Sequence, residues 1–150
     1  MNKESIILLS GGLDSLVSLG VAIKEYNITL ALTFDYGQKS AKQEIEAAKK
    51  ICDFYKITQK VIKLDWLRDI TQTSLVSEKE IPIVNEENLS SDNFVRASAA
   101  SVWVPNRNGL FLNIAGSFAD SYGYGHIIFG ANKEEGTTFP DNTPEFIDKV

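Results

Sequence analysis

The segment Ser10-Gly11-Gly12-Leu13-Asp14-Ser15 lies directly between an apolar run at residues 5–9 and a stretch with helical periodicity. Two consecutive glycines permit a tight turn and let backbone N–H groups come close to a ligand. The helix that follows directs its unpaired N–H groups and the positive end of its dipole toward the same point. The segment therefore predicts an anion-binding loop at the carboxyl end of a buried strand, with the hydroxyls of Ser10 and Ser15 as further donors. The alternative is a glycine-rich turn that only caps the helix.

Patterns typical of strands and helices alternate along the first half of the chain. Strands are predicted at residues 5–9, 29–34 and 58–64, and helices at residues 13–26 and after a cap at Ser40. The first helix carries a stripe of small and apolar residues on one face, namely Leu16, Val17, Gly20 and Ile23. Because strands that alternate with helices of this length are joined by right-handed crossovers, we predict one α/β domain over residues 1–150, an open parallel sheet with helices on both faces.

The second half of the chain is less regular. Residues 66–104 show no sustained period, which is typical of a lid, a binding loop or a disordered segment. A helix is predicted at residues 107–124, and a strand follows at residues 126–130. Thr143 before Pro144 predicts the start of a last helix that Val150 interrupts, so we expect the chain to be a fragment of a longer protein.

The composition excludes several classes of function. The 15 Lys and Arg residues against 20 Asp and Glu residues give a net charge of -5, which argues against direct binding of nucleic acid. One Cys and one His cannot form a disulfide framework or a zinc site made of Cys and His alone. No apolar run approaches the roughly 18 residues of a membrane span, and no secretory signal is recognisable. We therefore expect a cytoplasmic protein with no membrane partner.

Asp14 is the least expected residue of the loop, because a carboxylate repels a bound phosphate. In the first turn of a helix a carboxylate gains roughly 0.3–1 kcal/mol from the helix dipole, which could be its whole role. The alternative is that Asp14 binds Mg²⁺ together with a nucleotide polyphosphate. The loop contains no lysine and no GxGxxG pattern, so it is neither a Walker-type P-loop nor a dinucleotide fingerprint.

The loop sequence resembles the SGGxDS pyrophosphate loop of the ATP pyrophosphatase (PP-loop) superfamily. Four further segments resemble those of one family within it, the 7-cyano-7-deazaguanine synthase (QueC) family. They are Asp35-Tyr36-Gly37-Gln38, Val104-Pro105-Asn106-Arg107-Asn108, Gly130-Ala131-Asn132, and the run from Phe139-Pro140-Asp141 to Pro144-Glu145-Phe146. The resemblance extends from about residue 6 to the end of the chain. It implies an adenine nucleotide alpha hydrolase-like, Rossmann-like fold.

The resemblance implies an ATP-dependent ligase of queuosine or archaeosine biosynthesis. Such an enzyme converts 7-carboxy-7-deazaguanine and ammonia to 7-cyano-7-deazaguanine through adenylated intermediates, and the family resemblance also implies a homodimer. Two alternatives stay open at this point. One is another PP-loop enzyme that acts on a different carboxylate or on a tRNA base, and the other is a non-catalytic module that binds ATP.

The resemblance also implies roles for particular residues. Catalytic roles fall on Asp14, Ser15 and Arg107. ATP binding falls on the loop, the start of the helix and one strand end: Leu9, Ser10, Gly11, Gly12, Leu13, Asp14, Ser15, Leu16, Val17, Ser18, Leu19 and Asp35. Substrate binding falls on Tyr36, Gln38, Asn108, Lys133 and Asp141. For three of these a structural role is an open alternative: Asn108 as a helix cap, Lys133 as a solvated cation and Asp141 as a cap of the last helix.

The chain departs from the family pattern in its metal ligands. Family members carry a four-cysteine zinc site in their last part, whereas this chain has a single Cys. Cys52 lies on an apolar helical stripe, which predicts a packed core residue. We therefore expect ATP with Mg²⁺, held through Asp14, and we expect the zinc ligands to lie outside residues 1–150. The family's Asp-Tyr-Ser-Gly-Tyr-Pro run is also replaced here, which leaves the substrate less constrained than the use of ATP.

Overall fold

The computed structural model describes residues 4–71, 73, 75–76, 103–132, 136 and 139–150. Within this part, four strands and five helices follow one another along the chain. They are β1 (Glu4–Leu8), α1 (Leu13–Ala22), β2 (Asn27–Asp35), α2 (Ala41–Tyr55), β3 (Thr58–Lys63), α3 (Asp65–Asp69), α4 (Arg107–Tyr122), β4 (His126–Ile128) and α5 (Pro144–Ile147), with a 3-10 turn at Pro140–Asn142 before α5. The predicted strand–helix alternation is confirmed.

The strands form one parallel sheet in the order β3-β2-β1-β4. The chain moves outward from β1 to β3 and then returns to the other side of β1, where β4 pairs with it. The order of the strands therefore reverses between β1 and β4. Open parallel sheets bind ligands at the carboxyl ends of the strands beside such a reversal, and here that place is the loop that follows β1.

Each face of the sheet has its own hydrophobic core, because successive residues of a strand point to opposite sides. On one face, Ile7 and Ala31 pack with Leu19 of α1 and with Ala48 and Cys52 of α2. On the other face, strand residues including Ile6 and Leu32 pack with Ala115 of α4. The prediction of helices on both faces is confirmed, and so is the prediction that Cys52 is a core residue.

The predicted apolar face of α1 is wrong. Its buried residues are Ser15, Leu19 and Ala22, whereas Leu16 and Ile23 are exposed and Val17 is 55% exposed. The loop fixes the orientation of α1. Ser15 faces the loop, and Leu19 and Ala22, which follow it on the same side of the helix, therefore face the sheet. α1 is also shorter than predicted: the amides of Lys24 and Glu25 bond to carbonyls three residues earlier, which tightens and ends the helix.

Two predicted helix starts have different outcomes. Thr143 caps α5 as predicted, since its Oγ1 accepts a hydrogen bond from Phe146 N at 3.1 Å. Ser40 precedes α2 as predicted but makes no side-chain cap, and its hydroxyl donates to Glu44 Oε1 instead. Most of the segment at residues 66–104, predicted to be a lid, a binding loop or a disordered segment, lies outside the described residues.

Candidate functional site

The loop at residues 10–15, called the SGGLDS loop below, requires glycine at its second position. Gly11 has a φ of +81°, and a Cβ there would lie 2.7 Å from Ala47 Cβ and 2.9 Å from Ala48 N. Both the backbone conformation and the close approach to α2 therefore exclude a side chain. Gly12, the N-cap of α1, has no side chain to cap the helix, so the first-turn amides of α1 are available to a ligand.

The two serines of the loop interact with each other. Ser15 Oγ donates to Gly12 O at 2.9 Å, and Ser10 Oγ lies 3.3 Å from Ser15 Oγ. Gly12 N donates to Ser10 Oγ at 3.3 Å. Ser15 is buried beneath the loop and Ser10 is exposed, so the hydroxyls mark the inner and outer sides of the turn. This arrangement is suited to holding an anion above the start of α1.

The strand end beneath the loop is fixed by a chain of hydrogen bonds. Thr33 Oγ1 donates to Leu9 O at 2.8 Å, and Gln59 Nε2 donates to Thr33 Oγ1 at 3.0 Å. Leu9 itself is buried in the core. Three parallel strands therefore hold the last carbonyl before the loop in place.

The Gly130-Ala131-Asn132 segment after β4 closes the other side of the loop. Asn132 Nδ2 donates to Asp14 Oδ2 at 3.1 Å. A Cβ on Gly130 would lie 3.0 Å from both Asp14 O and Ser18 Oγ, so this glycine allows α1 to approach β4. The Asp14 carboxylate is exposed and oriented by Asn132, which leaves it accessible at the rim of the loop.

A cavity of about 220 Å³ lies under the SGGLDS loop, and we call it the loop cavity. Its floor is apolar and includes the stacked rings of Phe34 and Phe111, whose centroids lie 3.9 Å apart. Its polar lining is formed by Ser10, Ser15, Tyr36, Glu44, Arg107 and Asn108. The structure therefore brings the loop together with Tyr36, Arg107 and Asn108, which are far apart in sequence.

Arg107 is the first residue of α4, where the helix dipole disfavours a cation. Its Nη1 donates to the hydroxyl of the buried Tyr36 at 3.5 Å. Burial raises the pKa of Tyr36 above 10.0, although Arg107 opposes this shift, so the phenol is neutral at physiological pH. A guanidinium held in this unfavourable place and facing a cavity is suited to binding an anionic ligand.

Gln38 and Asp35 use their side chains mainly within the turn after β2. Gln38 is buried; its Oε1 accepts from Tyr36 N at 2.9 Å, and its Nε2 donates to Phe34 O and to Glu44 Oε2, both at 3.0 Å. Asp35 Oδ1 accepts from Gly37 N at 3.1 Å. Gln38 thereby holds the Glu44 carboxylate at the cavity wall. Glu44 was not predicted as a site residue. The only signal in the sequence is its position four residues after Ser40, one helical turn away.

Asp141 and Asn108 bind each other rather than capping their own helices. Asn108 N donates to Asp141 Oδ2, and Asn108 Nδ2 donates to Asp141 O, both at 3.0 Å. Asp141 therefore caps the start of α4, not the last helix, and both residues are buried. Asn106 is the N-cap of α4 in a left-handed conformation, and a Cβ on Gly109 would collide with its side chain.

Other predicted site residues occupy different places. Leu13 and Val17 point to solvent, and Leu19 lies in the core and lines neither this cavity nor the others described. Ser18 lies where Gly130 approaches α1, since its Oγ would be 3.0 Å from a Cβ on Gly130. Lys133 lies outside the described residues. Of the predicted ATP-binding run over residues 9–19, Leu9, Ser10 and Ser15 line the loop cavity, and the other residues do not.

The donors present suit magnesium better than zinc. Across the described ranges, no group of three or more His, Cys, Asp or Glu residues could hold a metal ion, and Cys52 is buried in the core. These residues do not fit a zinc site. A single exposed carboxylate such as Asp14 is what Mg²⁺ uses when phosphate oxygens and water complete its shell. In the described part of the chain, each helix is too short or too polar to cross a membrane.

A family model described as "Queuosine biosynthesis protein QueC" matches residues 4–150. The 7-cyano-7-deazaguanine synthase of Pelotomaculum thermopropionicum is 51% identical over 145 residues, covering 96% of this chain and 66% of the relative. That of Carboxydothermus hydrogenoformans is 52% identical over 149 residues, covering 99% and 68%. That of Methanosarcina mazei is 47% identical over 151 residues, covering 98% and 65%. The chain thus spans about two thirds of the length of these curated relatives.

Proposed function

The chain belongs to the family of queuosine biosynthesis proteins named QueC, and from this we propose that it forms 7-cyano-7-deazaguanine from 7-carboxy-7-deazaguanine, ammonia and ATP. One observation carries the proposal. Ser10 and Ser15 of the SGGLDS loop line a single cavity with Arg107 and Glu44 at the carboxyl ends of the strands. Anion-binding groups and a permanent cation in one cavity support a reaction between a nucleotide and a carboxylate.

The loop binds the pyrophosphate part of ATP. The first-turn amides of α1 and the hydroxyls of Ser10 and Ser15 donate to its oxygens, and strand residues 32–35 lie toward the adenosine. Asp14, oriented by Asn132, would hold Mg²⁺ together with the phosphates. When bound, that ion neutralises the charge that develops on the departing pyrophosphate.

The reaction has two activation steps that mirror each other. A substrate carboxylate oxygen attacks the α-phosphorus of ATP, pyrophosphate leaves, and ammonia then displaces AMP to give the amide. The amide oxygen attacks a second ATP, pyrophosphate leaves again, and loss of AMP with a proton gives the nitrile. Arg107 binds the carboxylate by parallel hydrogen bonds and holds it in line with the phosphorus. Tyr36, a neutral phenol beside Arg107, fixes the guanidinium.

Glu44 supplies a negatively charged hydrogen-bond acceptor to the loop cavity, whereas Arg107 supplies a positively charged donor. Its carboxylate is held by Gln38 Nε2 and by Ser40 Oγ, so its orientation toward the cavity is set by the protein. A fixed carboxylate at this wall can accept from a hydroxyl or amino group of a ligand and attracts ammonium into the cavity. This residue extends the proposed site beyond those taken from the sequence.

Three further predictions accompany this function. A homodimer is proposed from the family resemblance, and light scattering that gives the mass of one chain would contradict it. A zinc-binding region beyond residue 150 stays a prediction, and no step above depends on it. We also still predict that the protein is cytoplasmic and that it binds neither nucleic acid nor a membrane directly.

ATP–pyrophosphate exchange tests the proposed function. The purified protein is incubated with ATP, Mg²⁺ and labelled pyrophosphate. Separate reactions contain 7-carboxy-7-deazaguanine, tRNA, or 7-deazaguanine as a control that lacks the carboxylate. We expect exchange only with the acid, because adenylation requires the carboxylate oxygen. No exchange with the acid contradicts the proposal, exchange only with tRNA favours a tRNA-modifying enzyme, and ATP binding without any exchange favours a non-catalytic module.

A further inference from the structure

A second cavity of about 250 Å³ lies beside the loop cavity, and its aromatic wall gives it the name aromatic cavity here. Its wall includes Trp103 and Phe139, whose rings stack with centroids 5.4 Å apart and planes 7° apart. Arg107 and Asn108 line both cavities, so these two residues form the boundary between them. Neither Trp103 nor Phe139 lines the loop cavity.

The geometry points to the aromatic cavity as the binding site of the fused heterocyclic ring of 7-carboxy-7-deazaguanine. Arg107, at the boundary, would then bind the carboxylate of this substrate and present it to ATP in the loop cavity. This assignment rests on the proposed function, and it adds Trp103 and Phe139 as residues that select a planar base. Trp103 lies outside the segments that carry the family resemblance, and Phe139 lies within one of them but was given no role there.

The two cavities differ in their walls rather than in their size. The loop cavity has serine hydroxyls and the start of α1, which suit phosphate oxygens. The aromatic cavity has no residue of the SGGLDS loop; it has two parallel rings and the buried polar side chains of Asn108, Asp141 and Asn142. Because the two rings already stack on each other, a planar base would stack on an outer face of the pair, and a few buried polar groups would fix the orientation of such a ligand.

Arg107 gives the two cavities a chemical connection. Its Nη1 reaches the hydroxyl of Tyr36, which lines only the loop cavity, while the residue itself also lines the aromatic cavity. A carboxylate attached to a ring in the aromatic cavity would therefore meet the guanidinium on its way to the nucleotide. Placement of both reactants against one fixed cation accelerates their reaction by proximity.

Two hydrogen bonds tie the boundary between the cavities to the segment after Phe139. Asn108 is tied to Asp141 by two hydrogen bonds of 3.0 Å, one from its backbone N and one from its side-chain Nδ2. These bonds join the start of α4 to the 3-10 turn that follows Phe139. The segment that carries Phe139 is therefore joined directly to the start of α4, which carries Arg107.

Steady-state exchange kinetics separate this site from the nucleotide site. In Trp103→Leu we expect the KM for the acid to rise about tenfold or more, because stacking on the indole is lost, and the KM for ATP to stay within about twofold. Trp66→Leu is the matched control, since Trp66 is half exposed on α3 and lines neither cavity. We expect it to leave both KM values unchanged.

Tryptophan fluorescence gives a second measurement that does not depend on turnover. The acid is titrated without ATP into Trp66→Phe and into Trp103→Phe, and we expect quenching in the first variant and its loss in the second. A rise in the KM for ATP instead of the acid in Trp103→Leu, or equal quenching in both phenylalanine variants, would overturn the assignment. When the Trp103 variants give such a result, exchange by the unmodified protein decides which hypothesis is contradicted. If the unmodified protein shows exchange with the acid, only the assignment of the aromatic cavity is contradicted; if it shows none, the proposed function is contradicted as well.

Discussion

Asp14 tests the magnesium role at the scale of a single residue. Its carboxylate is exposed, and Asn132 orients it without burying it, so Asp14→Asn removes a charge and leaves the packing of α1 intact. We expect acid-dependent exchange to fall about 100-fold or more, because the charge on the departing pyrophosphate is no longer neutralised. The thermal unfolding midpoint should not change. Exchange at the wild-type rate would refute the role of Asp14.

Asp53→Asn is the control for that change. Asp53 is an exposed carboxylate on α2, paired with Lys49 one helical turn away, and it lies outside both cavities. Its replacement alters the net charge by the same amount as Asp14→Asn. We expect exchange to stay at the wild-type rate, so that a loss in Asp14→Asn reports the position of the charge rather than its amount.

Tyr36 predicts how stability depends on alkaline pH. Burial raises its pKa in the folded protein above 10.0, so the folded state holds the phenol proton more tightly than the unfolded state does. This contribution to stability is complete below about pH 10 and is lost as the pH rises through the folded pKa. Between about pH 9 and pH 11, the free energy of unfolding in urea should therefore fall more steeply for wild type than for Tyr36→Phe.

Tyr55→Phe is the matched control for Tyr36→Phe. Tyr55 lies on α2 and is 37% exposed, so its phenol has access to water in the folded state. We expect the Tyr55→Phe variant to keep the alkaline slope of wild type. Identical slopes for wild type and Tyr36→Phe would show that the buried phenol does not contribute.

The sequence predicted some residues of the site better than others. The loop residues were accessible because glycines and hydroxyls stand next to one another in the chain. Glu44 and Trp103 were not, because they reach the two cavities only after α2 and α4 pack on the sheet. The bond between Asp141 and Asn108 joins residues 33 positions apart, and no local pattern indicates that an Asp caps a distant helix.

At the scale of elements, the contact between the SGGLDS loop and α2 leaves no room for a side chain at Gly11 of the loop. Gly11→Ala would place a Cβ against the side chain of Ala47 and the backbone of Ala48, at a positive φ. We expect it to lower the free energy of unfolding by about 1–3 kcal/mol and to weaken ATP binding. Chemical denaturation and ATP titration measure the two effects.

Gly20→Ala provides the opposite expectation within α1. A Cβ on Gly20 would have nothing within 4 Å, and the residue lies inside the helix. We expect it to raise the free energy of unfolding by about 0.5–1 kcal/mol without affecting ATP binding. If Gly11→Ala and Gly20→Ala changed the free energy of unfolding in the same direction, the close approach of Gly11 to α2 would not explain the effect of Gly11→Ala.

The kinds of element could be predicted from the sequence, whereas the faces that they bury could not always be. Strand and helix periods predicted the four strands together with α1, α2 and α4, and the Thr143-Pro144 pair predicted the start of α5. The short α3 lies where the sequence shows no sustained period. The orientation of α1 is set by the loop that enters it, so its buried face follows Ser15 and Leu19 rather than the more apolar Leu16 and Val17. Local hydrophobicity does not contain that constraint.

At the scale of the whole molecule, the site depends on the order of the strands. The sequence predicted a parallel sheet but not that β4 pairs with β1, and this pairing brings Gly130 and Asn132 to Asp14. It also leaves the carboxyl ends of β1 and β2 open beneath α4, where the loop cavity lies. The reversal of strand order is therefore what converts separate motifs into one site.

Product analysis tests the central claim most directly. The purified protein is incubated with 7-carboxy-7-deazaguanine, ammonium, ATP and Mg²⁺, and the products are identified by mass spectrometry. We predict 7-cyano-7-deazaguanine, with two molecules of AMP and two of pyrophosphate formed for each nitrile, and the 7-carboxamide as an intermediate. Recovery of the acid unchanged, or formation of ADP and phosphate in place of AMP and pyrophosphate, would contradict the account.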